Sequence, residues 1–174
     1  MSRRQYVPLG VIIERRASDH PWLDHTIRPV SVVPGMSAPE EGGGWRLMME
    51  GDGWAHFHAG TLNLELFAGE TEGYKKNLAN SPPHVYVVLS PGAEPGDPEM
   101  VATLVTACPY EAERYMEDSE IVVEGVPMPE EVAAWVGAFV DAYHVEEEFL
   151  KRKRKPYDPR KGDMRARPLL EDGE

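Results

Sequence analysis

Two histidines, His56 and His58, lie two residues apart within a short strand-like run of the chain. Alternate residues of a strand point to the same face, so the two imidazoles could approach one metal ion. The neighbouring sequence supplies no third ligand, and two ligands do not fix a metal ion. We therefore predict that both histidines are polar residues on the solvent-facing side of a hairpin, and that the protein binds no metal.

A second group of chemically capable side chains occupies residues 20–25, which read His-Pro-Trp-Leu-Asp-His. Binding residues concentrate on loops. His20, Trp22 and His25, with Arg28 shortly after them, are therefore candidates for contact with a partner. We prefer the alternative, in which Trp22 plugs the edge of a sheet while the polar groups satisfy the turn.

Cys108 is the only cysteine, so the chain can form neither an internal disulfide nor a thiolate cluster. It precedes a predicted helix, whose N-terminal dipole would lower the pKa of the thiol and favour a nucleophile. A catalytic cysteine also needs a positioned base, and no Cys–His grouping is evident, so we prefer a buried, inert thiol. The sequence also lacks glycine-rich phosphate loops and the usual hydrolase motifs, and we predict no catalytic residues and no cofactor.

Charge is distributed unevenly along the chain. Residues 1–150 contain 9 Lys and Arg against 25 Asp and Glu, a net charge of −16, whereas residues 151–174 contain 9 against 5, a net charge of +4. An acidic body repels phosphate backbones, so nucleic acid is not expected as a partner.

The basic residues of the C-terminal part form a cluster that is a candidate for attracting an acidic protein surface, although we prefer a solvated tail without a binding role. Its members are Lys151, Arg152, Lys153 and Arg154, with Tyr157 as an aromatic anchor. The alternative is a solvated helix end, in which this cluster pairs with the glutamates at 146–148.

Hydrophobic periodicity and turn residues predict the elements that must position these side chains. Strands are expected at residues 7–14, 26–33, 45–50, 54–58, 62–67, 84–89, 100–106 and 121–126. Helices are expected at residues 70–80, at 109–118 and from Pro129 to a basic end at 151–155.

The order of these elements predicts an α+β fold, with a largely antiparallel, curled or partly barrel-like sheet packed against two or three helices. The three runs between residues 45 and 67 should form an antiparallel meander, because only short turns separate them. We expect a single domain over residues 5–150 and a basic, disordered tail over residues 151–174.

The composition fits a folded protein, since 41% of the 174 residues are hydrophobic and 28% are charged. The longest apolar runs are far shorter than the roughly 20 residues that span a bilayer, and the start of the chain does not read as a signal peptide. We therefore expect a cytoplasmic protein that does not insert into a membrane.

Several short motifs together resemble an uncharacterised bacterial family, domain-of-unknown-function family 3305, over roughly residues 7–155. The motifs include Val7-Pro8-Leu9-Gly10-Val11, His20-Pro21-Trp22, Leu64-Glu65-Leu66, Val85-Tyr86-Val87-Val88-Leu89, Pro109-Tyr110-Glu111-Ala112 and Val126-Pro127-Met128-Pro129.

This resemblance implies a genomic setting, because members of the family are typically encoded beside molybdenum-dependent formate dehydrogenases and their maturation factors. It supplies no established catalytic residues. Two functions are expected from it. The first is a non-catalytic accessory or assembly factor that binds a formate dehydrogenase subunit or maturation factor. The second is an enzyme or carrier that handles the molybdenum cofactor or its guanine dinucleotide precursor.

Overall fold

A computed structural model describes residues 2–39 and 44–146 of the chain. Its first sheet is antiparallel and has four strands in the order β2-β1-β4-β3. These strands are β1 (Arg4–Ala17), β2 (His25–Pro34), β3 (Arg46–Gly51) and β4 (Trp54–Phe67). A 3-10 turn (Ala68–Glu70) and helix α1 (Thr71–Leu78) follow β4.

The second sheet is antiparallel and has three strands in the order β6-β5-β7. Its strands and the remaining helices are β5 (His84–Pro91), β6 (Met100–Thr106), α2 (Pro109–Glu113), β7 (Val122–Pro127) and α3 (Glu130–Tyr143). The α+β class with antiparallel sheets and three helices is therefore confirmed. The predicted barrel-like curl is not confirmed, because the described strands form two separate sheets and neither closes on itself.

The inner faces of both sheets contribute to one hydrophobic core. In β1, Leu9, Val11 and Ile13 recur at every second residue and have no exposed surface, as expected of a strand face in a core, but Ile12 between them is also buried. Val85, Val87 and Leu89 of β5 have the same period, but Val88 between them is also buried. β4 lies beside β6, and β2 lies beside β7. The indole Nε1 of Trp45 donates to the carbonyl oxygen of Met100 at 3.0 Å and links the two sheets.

Strand β4 differs from the prediction of two strands joined by a turn at residues 59–61. It runs without interruption from Trp54 to Phe67 and pairs with β1 along that length. Gly60, at φ +149°, lies where the register against β1 shifts. The extra residue of β4 forms a bulge, which the backbone freedom of glycine permits. The predicted three-strand meander is therefore wrong, and only the β3–β4 hairpin remains.

Helix α3 begins where the sequence predicts but ends earlier than predicted. Pro129 occupies the N-cap, and Val132, Val136, Phe139 and Val140 are buried. Phe139 meets the ring of Tyr74 in α1 edge to face, with centroids 6.2 Å apart. The helix ends at Tyr143, because His144 adopts an extended conformation at ψ 126° and does not continue the helix towards residue 151.

Helix α2 is shorter than predicted. It covers five residues and gives way to turns after Glu113, instead of continuing to residue 118. Pro109 occupies its first turn, as predicted. The described residues up to His144 form one compact unit, whereas the predicted tail at 151–174 lies outside the described residues.

None of the helices in the described ranges combines the length and the apolar character that a membrane span requires.

Truncation of Phe139 tests the packing of α3. We expect Phe139→Ala to lower the free energy of unfolding by about 3–5 kcal/mol, because the ring is 1% exposed and its loss leaves a cavity. Ala138→Ser, on the exposed side of the same helix, should change it by less than about 0.5 kcal/mol. Urea unfolding followed by circular dichroism gives both values. Equal effects would show that the buried stripe is misplaced.

Candidate functional site

Three loops meet at one end of the first sheet. They are residues 18–24 between β1 and β2, residues 51–53, which comprise the last residue of β3 and the turn to β4, and residues 92–99 between β5 and β6. The amide of Ala17 donates to the carbonyl oxygen of Gly53 at 2.8 Å, and His25 Nε2 lies 2.7 Å from Glu99 Oε2. These contacts connect the three loops, which we call the loop end.

The first of these loops is held in place by its own hydrogen bonds. The amide of Ser18 donates to the carbonyl oxygen of Asp24 at 3.2 Å. The amide of Leu23 donates to the carbonyl oxygen of His20, also at 3.2 Å. The Ser18 hydroxyl oxygen accepts from the amide of His20 at 3.1 Å, and His20 Nδ1 accepts from the amide of Trp22 at 3.3 Å. Residues 18–24 therefore form a closed turn.

This turn presents two large apolar side chains to solvent. Trp22 is 85% exposed and Leu23 is 54% exposed. The alternative in which Trp22 plugs the sheet edge is therefore wrong. An indole that gains nothing from burial in its own fold is a side chain suited to burial against another molecule, since Trp is enriched at the centres of binding interfaces.

A shallow cavity of about 270 Å³ lies beside the turn. The residues that line it are Arg15, Ala17, Asp24, His25, Glu50, Gly53, Trp54 and Ala55. The guanidinium of Arg15 lies over the ring of Phe57, 5.0 Å from its centroid. The cavity is therefore bounded by residues from β1, β2, β3 and β4 and from the first two loops.

The structure brings together three of the predicted binding residues, namely His20, Trp22 and His25, at the loop end. Arg28 does not join them, and its Nε lies 3.8 Å from Glu14 Oε1 of β1. The predicted residues Lys151, Arg152, Lys153, Arg154 and Tyr157 lie outside the described residues, as do the glutamates at 147 and 148.

Glu14 is the centre of a polar cluster that sequence reasoning missed. Register places Glu14 of β1 directly between Arg28 of β2 and His56 of β4. The carboxylate accepts from Arg16 Nε at 2.9 Å, and its other oxygen lies 2.9 Å from His56 Nε2. The only sequence signal was an acid among apolar residues followed by two arginines, and the cross-strand partners could not be read from it.

These contacts change the ionisation of Glu14. Its side chain is 8% exposed, yet its pKa is lowered to about 2, mainly by the hydrogen bond from Arg16 and next by that from His56. Burial opposes the shift, because it disfavours the charged form, but the charged partners outweigh it. Glu14 is thus a carboxylate at neutral pH that joins three strands.

The two histidines proposed as a metal pair have separate partners. His56 contacts Glu14, and the centroid of its ring lies 4.9 Å from that of Trp54. His58 is 1% exposed, and burial lowers its pKa. Its Nε2 lies 3.0 Å from the hydroxyl of Thr61, which donates to the carbonyl oxygen of Ser37 at 3.3 Å. His58 is therefore buried and was wrongly expected to face solvent.

Cys108 is a buried free thiol, as the preferred interpretation held. Burial raises its pKa, so the predicted lowering by the helix dipole is wrong. The helix that follows has only five residues, and a side chain at Gly73 would collide with the sulfur. Across the described ranges, no group of three or more His, Cys, Asp and Glu side chains has a geometry that could hold a metal ion.

Comparison with known proteins identifies the family. Residues 8–154 match the family model described as "Protein of unknown function (DUF3305)", and the chain belongs to that family. No curated protein and no solved structure matches the chain.

The low pKa of Glu14 makes the fold sensitive to acid. Because this pKa lies below the ordinary carboxyl value of 4.5, the unfolded chain takes up the proton first as pH falls. The stabilisation of the fold by ionised Glu14 is present above about pH 4.5 and is lost as pH falls towards 2. We expect Glu14→Gln to lower the free energy of unfolding at pH 7 by about 1–3 kcal/mol, with the smaller values favoured because Arg16 is half exposed.

Urea unfolding at pH 7, 5 and 4 measures this effect. The variant should lose less stability than the parent between pH 5 and pH 4. Glu65→Gln is the matched control, since Glu65 pairs with Arg4 at the surface and should contribute less than about 1 kcal/mol. Parallel pH profiles for Glu14→Gln and the parent protein would contradict the assignment.

Proposed function

We propose that this member of the DUF3305 family is a non-catalytic accessory or assembly factor that binds a protein partner through the loop end. The observation that carries the proposal is the 85% exposure of Trp22 on a turn that is fixed by its own hydrogen bonds. A preorganised turn loses little conformational entropy on binding, so more of the energy gained by burying the indole appears as affinity.

The surroundings of Trp22 support a protein as the partner. Leu23 adds apolar surface next to the indole, and the adjoining cavity can accept a projecting side chain. Protein interfaces combine a central aromatic anchor with a polar rim. At the loop end, His20 and Asp24 flank the two apolar residues in this way.

We further propose that the partner is a subunit or a maturation factor of a molybdenum-dependent formate dehydrogenase, and that the two proteins meet in the cytoplasm. The support for this partner is the resemblance of the sequence motifs to a family with that genomic setting.

A second candidate function is an enzyme or carrier for the molybdenum cofactor or its guanine dinucleotide precursor. The polar cluster on the outer face of the first sheet favours it. Arg16 and Arg28 are each more than half exposed there, and the ring centroids of Trp54 and His56 lie 4.9 Å apart with their planes tilted by 56°. Guanidinium groups bind phosphates, and an aromatic ring can contact an aromatic heterocycle.

Thermal unfolding separates the two candidates. A carrier should be stabilised by GTP or by molybdopterin, because a ligand that binds only the folded state raises its stability. An assembly factor should be stabilised by its protein partner and by neither small molecule. A shift with GTP that Arg16→Ala abolishes would favour the second candidate.

Affinity capture from the native host tests the first candidate directly. We expect Trp22→Ala to weaken capture of the partner by about 30-fold or more, as loss of a 2 kcal/mol interface anchor does. Its melting temperature should match that of the parent, because Trp22 is mostly exposed in the free protein. Tyr6→Ala removes an aromatic side chain that is 66% exposed near the other end of β1 and should leave capture unchanged.

Equal capture by Trp22→Ala and by the parent would overturn the role of the loop end. Recovery of a partner unrelated to formate dehydrogenase would retain the binding role but overturn the proposed system.

A further inference from the structure

We infer that the loop end accepts a basic segment of its protein partner, in which a Lys or Arg stands beside an apolar residue. This inference rests on the proposed binding role of Trp22 and specifies the chemistry of what covers it. It follows from two properties of the loop end: the charge of its three loops and the residues that line the cavity beside the turn.

The three loops carry negative charge alone. Residues 18–24, 51–53 and 92–99 together hold six carboxylates and no Lys or Arg. The carboxylates are those of Asp19, Asp24, Asp52, Glu94, Asp97 and Glu99. Glu99 contacts His25, and Asp97 Oδ2 accepts from the amides of Ala93 and Glu94. The three loops therefore carry a net negative charge, which favours approach of a cationic partner surface.

The cavity adds a specific place for one cationic side chain. Asp24, Glu50 and Trp54 are among the residues that line it. Carboxylates bind guanidinium and ammonium groups through charge-assisted hydrogen bonds, and an indole face attracts the same cations. The resident cation, Arg15, lies over Phe57, so its charge is directed towards that ring.

The apolar part of the surface lies next to this cavity. Trp22 and Leu23 belong to the same seven-residue loop as Asp24, so a partner segment that inserts a cation can cover the indole with a neighbouring apolar residue. An acidic or uncharged segment would leave Asp24 and Glu50 desolvated without a partner, at a cost in binding energy.

A photo-crosslinking experiment in the native host tests this inference. Leu23 is replaced by p-benzoylphenylalanine in the full chain, and the cross-linked partner peptide is identified by mass spectrometry. We expect a peptide with net positive charge and a Lys or Arg beside an apolar residue. The yield should fall at least tenfold in Asp24→Asn/Glu50→Gln and should fall when the salt concentration is raised.

The matched control is Glu117→Gln/Glu120→Gln, which removes two exposed carboxylates from a segment outside the three loops. This variant has the same net charge as the test variant and should cross-link like the parent. An equal loss in both variants would show that only the total charge matters and would overturn the inference.

The remaining outcomes are also decisive. A neutral or acidic partner peptide, or a cross-link to a second copy of this chain, would overturn the basic-segment inference while Trp22→Ala still reports on the binding role. Absence of any cross-link at position 23, together with full capture by Trp22→Ala, would overturn the proposed function itself.

Discussion

Strand β1 pairs with β4 from Arg4 to Arg16 and with β2 from Leu9 to Ala17, so almost all of its backbone is hydrogen-bonded to neighbouring strands. Separating β1 from either neighbour would leave buried backbone groups without hydrogen-bond partners, which is costly. The position of β1 in the sheet is therefore fixed. Three fully buried side chains, Leu9, Val11 and Ile13, anchor the same strand in the core. The positions of the loop end and of the polar cluster follow from this strand.

The register of β1 changes at Val11–Ile12 against β4 and at Ile12–Ile13 against β2. Bulges increase local twist and redirect side chains. Beyond these shifts, the strand changes from apolar to charged, and Glu14 joins Arg28 and His56 across three strands. The cluster therefore stabilises the sheet close to the point where β1 leaves it for the exposed turn at residues 18–24.

Local sequence patterns were sufficient for much of the fold. Strand β6 has the predicted bounds, and the apolar stripe of α3 is buried as its spacing indicated. The division of β4 was mispredicted because Gly60 resembles a turn residue in sequence, whereas in the fold its positive φ serves a bulge. Whether a glycine ends a strand or bends it depends on the partner strand, which a single sequence does not reveal.

The candidate site was harder to predict from the sequence. Loop composition identified Trp22 but left its exposure open, because a buried plug and an exposed anchor have the same sequence. The Glu14 cluster depends on the register between β1 and β4, which places His56 beside Glu14 although the two residues are 42 positions apart in the sequence. The meeting of three loops at one end depends on the order of strands within the first sheet and on a contact with the second.

The central claim is that β1 and the hydrogen bonds of its loop hold Trp22 exposed in a fixed position. Native-state hydrogen exchange measured by NMR tests it most directly. The account predicts that the amides of β1 exchange only through global unfolding, and that the amides of Ser18 and Leu23 show measurable protection. Exchange of Ser18 and Leu23 at the rates of an unstructured peptide would contradict the claim, because the indole would then be carried by a loop without fixed structure.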